Sequence, residues 1–157
     1  MNALAGIVFL LGLNGFFVAS EFALVRIRQT RLEELAQRGD GRAVLELKMI
    51  GRLDSYLGAV QLGVTLASLG LGWLGEPAVT ALIQPLVYHY FPGSNLLLHS
   101  LSLLISFAIV TYVTVVLGEL IPKSLAMHKT ESILLFIVWP LYLFHMLGWP
   151  IIVLFMS

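Results

Sequence analysis

The chain has 157 residues, 59% of them hydrophobic and 11% charged, with zero formal net charge and no cysteine. A soluble domain carries about 25% charged residues, so this composition belongs in a membrane. Zero net charge gives a nucleic-acid partner no electrostatic support, and the lack of cysteine excludes disulfides and thiolate metal sites.

The opening MNALAGIVFLLGLN has no basic n-region, and its apolar run continues past any plausible cleavage point. It reads as a retained helix rather than a signal peptide. Residues 3–25 are long enough to span, at roughly 20 residues per crossing. Three polar residues interrupt them: Asn14, Ser20 and Glu21. On a regular helix Asn14 and Glu21 share one face. Ser20 points about 100° away from Glu21.

Residues 26–52 are charged, with helical text ending near Gly39, a turn at Asp40 and Gly41, and a second short helix through Glu46 and Lys48. The expectation is a polar helical hairpin at the membrane surface, with a solvated loop as the plainer alternative.

Residues 54–74 form the second predicted span. Gln61, Thr65 and Ser68 follow i, i+4, i+7 and share one stripe, while Ala59, Gly63 and Ala67 lie on roughly the opposite side. Small residues let helix backbones approach closely in lipid. The polar stripe suits a polar interior, unless the hydroxyls only bond back to their own helix.

Residues 75–99 read as a break, punctuated by Gly75, Pro77, Pro85, Pro92 and Gly93. Trp73, Tyr88, Tyr90 and Phe91 suit an interfacial aromatic belt, and His89 and His99 have no metal-ligand spacing.

Residues 101–120 form the third predicted span. It ends in VTVVLGELIPK, residues 113–123. Glu119 sits there after an apolar run, and a lone intramembrane acid costs roughly 2.5–3.5 kcal/mol even on lenient scales. A cation, a proton or a partner side chain would offset that. Pro122 has no N–H and crowds the carbonyl of Gly118, so a freed carbonyl would lie beside the carboxylate. The alternative is a helix end near the cytosol with Glu119 paired to Lys123, four residues on.

Residues 133–156 are apolar again, with Pro140, Gly148 and Pro150 inside and Trp139, Tyr142, His145 and Trp149 spread along them. A spanning helix concentrates such residues at two belts. The spread predicts a broken helix lying along the interface, and a fourth span stays open on length. No phosphate loop, zinc spacing or nucleophile–base pair is present, so no enzyme is expected.

Of the nine Lys and Arg, seven lie from Arg26 to Arg52, and the other two are Lys123 and Lys129. By the positive-inside rule the N-terminus is outside, and the basic segment and the end of the third span are cytosolic.

Three stretches carry a resemblance. NGFFVASEFALVRIRQTRLEEL (residues 14–35), LDSYLGAVQLGVTLASLGLGWLGEP (53–77) and GELIPKSLA (118–126) together resemble the transmembrane domain of the CorC/CNNM magnesium transporter family. The resemblance covers nearly the whole chain. It implies an all-α membrane protein with three transmembrane helices, a short cytosolic helical hairpin and a C-terminal juxtamembrane belt helix. It also implies a homodimer in the plasma membrane, with an ion site in each subunit. Cytosolic CBS domains that bind nucleotide normally follow. Residues 1–157 are therefore expected to be a single transmembrane domain without them and without a nucleotide site.

Carried over by position, Glu119 and Gly118 match the family's acidic ion ligand and its neighbouring glycine, and Ser20 matches the serine of the first helix. Ser68 and Thr65 fall where the second helix supplies polar ligands. The expected function is magnesium transport by alternating access, with Mg2+ as cargo and sodium as a candidate coupling ion. The competing readings are a divalent-cation sensor or scaffold for cytosolic domains, and a proton- or sodium-coupled carrier with Glu119 as the coupling acid.

Overall fold

The computed structural model describes the backbone of residues 2–156 and the side chains of residues 3–148 and Pro150. Every regular element among them is helical. In order they are α1 (Asn2–Arg26), α2 (Gln29–Gln37), α3 (Gly41–Ile50), α4 (Leu53–Tyr90) and α5 (Asn95–Val115). A π-helical turn (Val116–Leu120) then leads into α6 (Ile121–His128) and α7 (Thr130–Met156).

Four stretches are long and apolar enough to cross a membrane: Ala3–Arg26, Leu53–Tyr90, Asn95–His128 and Thr130–Gly148. Three correspond to the expected spans. The fourth lies in α7, the segment expected to run along the interface. Trp149, one of the aromatics behind that expectation, lies outside the described side chains.

The main departure from expectation is α4. It does not stop near Leu74. It continues through Pro77 and Pro85 to Tyr90, 38 residues in all, or about 57 Å at 1.5 Å per residue. Only residues 91–94 separate it from α5. Proline and glycine punctuate soluble sequence, but helices at membrane depth tolerate them because neighbouring groups re-satisfy the freed backbone. The prolines were therefore poor stop signals here.

The turn between α2 and α3 has clear local causes. Gly39 adopts φ +89°, a left-handed conformation that favours glycine. Asp40 then caps α3, its carboxylate accepting from the Arg42 amide at 2.9 Å. Leu32, Ala43 and Met49 turn inward and join a large core cluster. That cluster also takes in Phe17 and Leu24 of α1, Tyr56 and Val60 of α4, and Leu134 and Val138 of α7.

Packing of α1 on α4 holds the membrane region together. Ala59, Gly63 and Ala67 are all buried, and the Phe17 ring lies against Gly63. A Cβ at Gly63 would come 2.5 Å from that ring. The small-residue face thus serves a contact within the chain.

Candidate functional site

The site is built around Asn14, which α1 buries completely. A buried amide needs partners for both its donor and its acceptor. Its Nδ2 donates to the carbonyl of Gly118 at 3.1 Å, and its Oδ1 accepts from the Ser68 hydroxyl at 3.1 Å. One side chain therefore ties α1 to α4 and to the π turn. The approach is close at two further points. A Cβ at Gly118 would lie 2.8 Å from Asn14 Nδ2, and one at Gly15 would lie 2.9 Å from Pro122 Cγ.

Pro122 accounts for the local backbone. It has no N–H to give the carbonyl one turn back, and the helix widens to a π turn just before it. Such turns recur at functional sites. Within this turn Asn14 gives the Gly118 carbonyl a donor from outside the helix. Adjacent helical residues point about 100° apart. Gly118 accordingly faces α1, while Glu119 faces a cleft between α4 and α5.

That cleft has a volume of about 480 Å³. Ser68 and Glu76 line it from α4, with Thr111 and Thr114 from α5 and Glu119 from the π turn. Ser68, Gly72 and Glu76 stand four residues apart on one helical row. Glu76 accepts from Thr80 at 3.0 Å. Among the described residues no group of three or more His, Cys, Asp or Glu is positioned to hold a metal. The cleft instead mixes two carboxylates with hydroxyls, which is hard oxygen chemistry.

The predicted site residues divide. Ser68 and Glu119 share the cleft, and Gly118 and Ser68 share Asn14. Ser20 is fully buried, but its hydroxyl donates to the Phe16 carbonyl at 2.7 Å. Thr65 is exposed and donates to the Gln61 carbonyl at 2.8 Å. Both bond back to their own helix, the alternative raised for Thr65 but not for Ser20, and neither lines the cleft. Among the described residues no ion pair joins Glu119 to Lys123. The Lys123 ammonium sits 4.4 Å above the Phe22 ring. The helix-end pairing therefore does not form.

Two residues of the site escaped the sequence reading. Asn14 was visible as a polar intruder, but nothing in the sequence showed its partners. Glu76 lay in a segment read as a break. Extending the row Ser68, Gly72 by one more turn would have found it.

A chain whose described elements are all helices, several of them of membrane length, joined at a polar knot beside a carboxylate, is a multi-pass membrane domain. Residues 5–157 match the Cyclin M transmembrane N-terminal domain (CNNM), and the chain belongs to that family, the one its motifs resemble. It is 45% identical over 143 residues to the UPF0053 protein YhdT and 41% identical over 152 to the UPF0053 protein YugS, both of Bacillus subtilis strain 168. It is 40% identical over 152 residues to the uncharacterized protein Rv1841c of Mycobacterium tuberculosis strain H37Rv. These matches cover 91%, 95% and 97% of this chain but only 31%, 34% and 43% of those proteins. The chain thus spans less than half the length of these relatives, down to under a third.

Proposed function

We propose that this domain carries magnesium across the plasma membrane by alternating access, with Glu119 as the acidic ligand. The observation that carries the reading is the position of Glu119. It lies one residue from the knot that joins three separate parts of the chain, and it opens on a cleft where Ser68, Glu76, Thr111 and Thr114 offer oxygens among apolar residues such as Phe107 and Val110.

Magnesium wants oxygen ligands in a near-octahedral shell at about 2.0–2.1 Å and sheds water reluctantly. Oxygen donors are available here. The Gly118 carbonyl has two lone pairs, and Asn14 uses one. Ser68 of the cleft donates its hydroxyl hydrogen to Asn14, and Ser20 and Thr65, outside the cleft in this arrangement, donate theirs to their own helices, so each oxygen keeps lone pairs for a cation in a state that brings them together. Ligands drawn from α1, α4 and the π turn would couple ion binding to helix arrangement. An ion shifts a conformational equilibrium only by its differential affinity for the two states. Two carboxyl groups, Glu119 and Glu76, line the cleft and offer oxygens to a divalent ion.

The reading includes a homodimer, an outside N-terminus, and cytosolic placement of the α2–α3 pair and the C-terminus. It also gives α7 an interfacial course as a belt helix. Sodium is the candidate coupling ion, and the CBS domains of the full-length protein are the expected regulators. Flux into liposomes tests the proposal. A transporter moves magnesium down an imposed gradient, whereas a sensor or scaffold binds it without moving it. A proton- or sodium-coupled carrier of another cargo would show flux indifferent to magnesium competition.

A further inference from the structure

Glu46 is an acid that no part of this transport reading uses. It sits in α3 on the face that also carries Ala43 and Met49, and it is 0% exposed. Neither carboxylate oxygen has a hydrogen-bond partner among the described residues. Its face is buried where α3 packs on α2 and α7, beside an apolar core that includes Leu32, Leu134 and Val138.

The cations around it are already committed or turned away. On α3 itself, Arg42 pairs with Asp40 at 3.3 Å, and Lys48 is exposed. From α2, Arg31 pairs with Glu34 at 2.9 Å and with Glu131 of α7 at 3.0 Å. At the start of α4, Arg52 and Asp54 are both exposed. The charges that act on Glu46 from outside its own side chain are Asp40, Arg42 and Glu131, two acids against one base. An isolated carboxylate in apolar surroundings avoids its charge by taking a proton.

We propose that Glu46 is a proton-binding site that latches α3 onto α2 and α7: the neutral acid keeps the three helices docked, and ionisation loosens them. Desolvation is the first cause pushing its pKa up, to about 8, with Asp40 adding to it, Arg42 opposing and Glu131 adding again. The sign follows from linkage. Undocked, the carboxyl titrates near 4.5; docked, it holds its proton up to about 8. The docked state therefore binds more protons between those values, so docking is strongest in acid and weakens as pH rises through that window. Above about pH 8 no further weakening is expected from this group. The inference is independent of which ion the membrane site carries.

Hydrogen exchange read by mass spectrometry on the whole chain in lipid nanodiscs tests it, between pH 6 and pH 9. Rates are divided by the intrinsic rate at each pH, with α1 amides as the reference. In the wild type, protection of Gly41–Ile50 should fall by up to about tenfold per pH unit, the limit for one proton, and level off above about pH 8. Glu46→Gln, and Glu46→Met should the amide prove too polar to bury, should abolish the slope and protect α3 at least as well as the wild type does at pH 9. The wild type should also show a protonated-carboxyl infrared band that disappears with rising pH and is missing in both variants. Flat wild-type protection, or an equal slope in the variants, would overturn the proposal. So would an infrared band that Glu46→Gln leaves in place.

Discussion

Replacing Asn14 with leucine keeps the side chain's size and removes both of its hydrogen bonds. Two groups then lose a partner, the Ser68 hydroxyl and the Gly118 carbonyl. Ser68 can turn to a carbonyl of its own helix, as Ser20 and Thr65 already do, so its loss is small. The Gly118 carbonyl is held in the buried backbone of the π turn and cannot turn away as a side chain can, and Pro122 offers it no N–H. Interhelical hydrogen bonds in membranes average about 0.6 kcal/mol each. A buried acceptor left without a partner costs about 1–3 kcal/mol. The expected loss is about 2 kcal/mol, roughly a thirtyfold change in the unfolding equilibrium. Denaturant titration in mixed micelles, followed by tryptophan fluorescence, measures it. Thr65→Val is the control. It removes an exposed own-helix bond and should stay within about 0.5 kcal/mol of the wild type. If Asn14→Leu is no worse than Thr65→Val, the knot carries no energy and the account of the junction is wrong.

Gly63→Ala should destabilise the fold by about 1–3 kcal/mol through overpacking against Phe17, and adding Phe17→Leu should recover part of the loss in the same titration. Glu76→Gln should leave folding intact and raise the magnesium concentration needed for half-maximal liposome flux; an unchanged value would place Glu76 off the ion's path. A cysteine at Ser157, outside the described residues, should react with a membrane-impermeant reagent only from the cytosolic side. Labelling from outside would mean that α7 crosses the bilayer.

Much of this site was legible in the sequence because an isolated polar group in an apolar run demands a cause. Glu119 stood out for that reason, and Pro122 drew attention to the Gly118 carbonyl, which Asn14 reaches. Asn14 stood out as well. Its role depended on a contact 104 residues away, which no local spacing encodes. The small face Ala59, Gly63, Ala67 announced close packing, but only the fold showed that Phe17 of α1 fills it. Proline misled the reading of α4, since the rule that a proline ends a helix holds better in water than at membrane depth. That error hid Glu76. The π turn left no signal beyond Pro122 itself. Glu46 was passed over because it sits in a charged stretch, where a solvated face is the natural reading, and only its burial among α2, α3 and α7 sets it apart.

In the proposed function Glu119 binds the transported cation. Glu119→Gln keeps the shape of the side chain and removes its charge. Magnesium-dependent thermal stabilisation and magnesium flux should be measured on the same purified preparation, in micelles and in liposomes respectively. The Glu119→Gln variant should fold and lose both, with Ser20→Ala and Ser68→Ala each weakened to a lesser degree. A folded Glu119→Gln variant that is still stabilised by magnesium and still moves it would contradict the account.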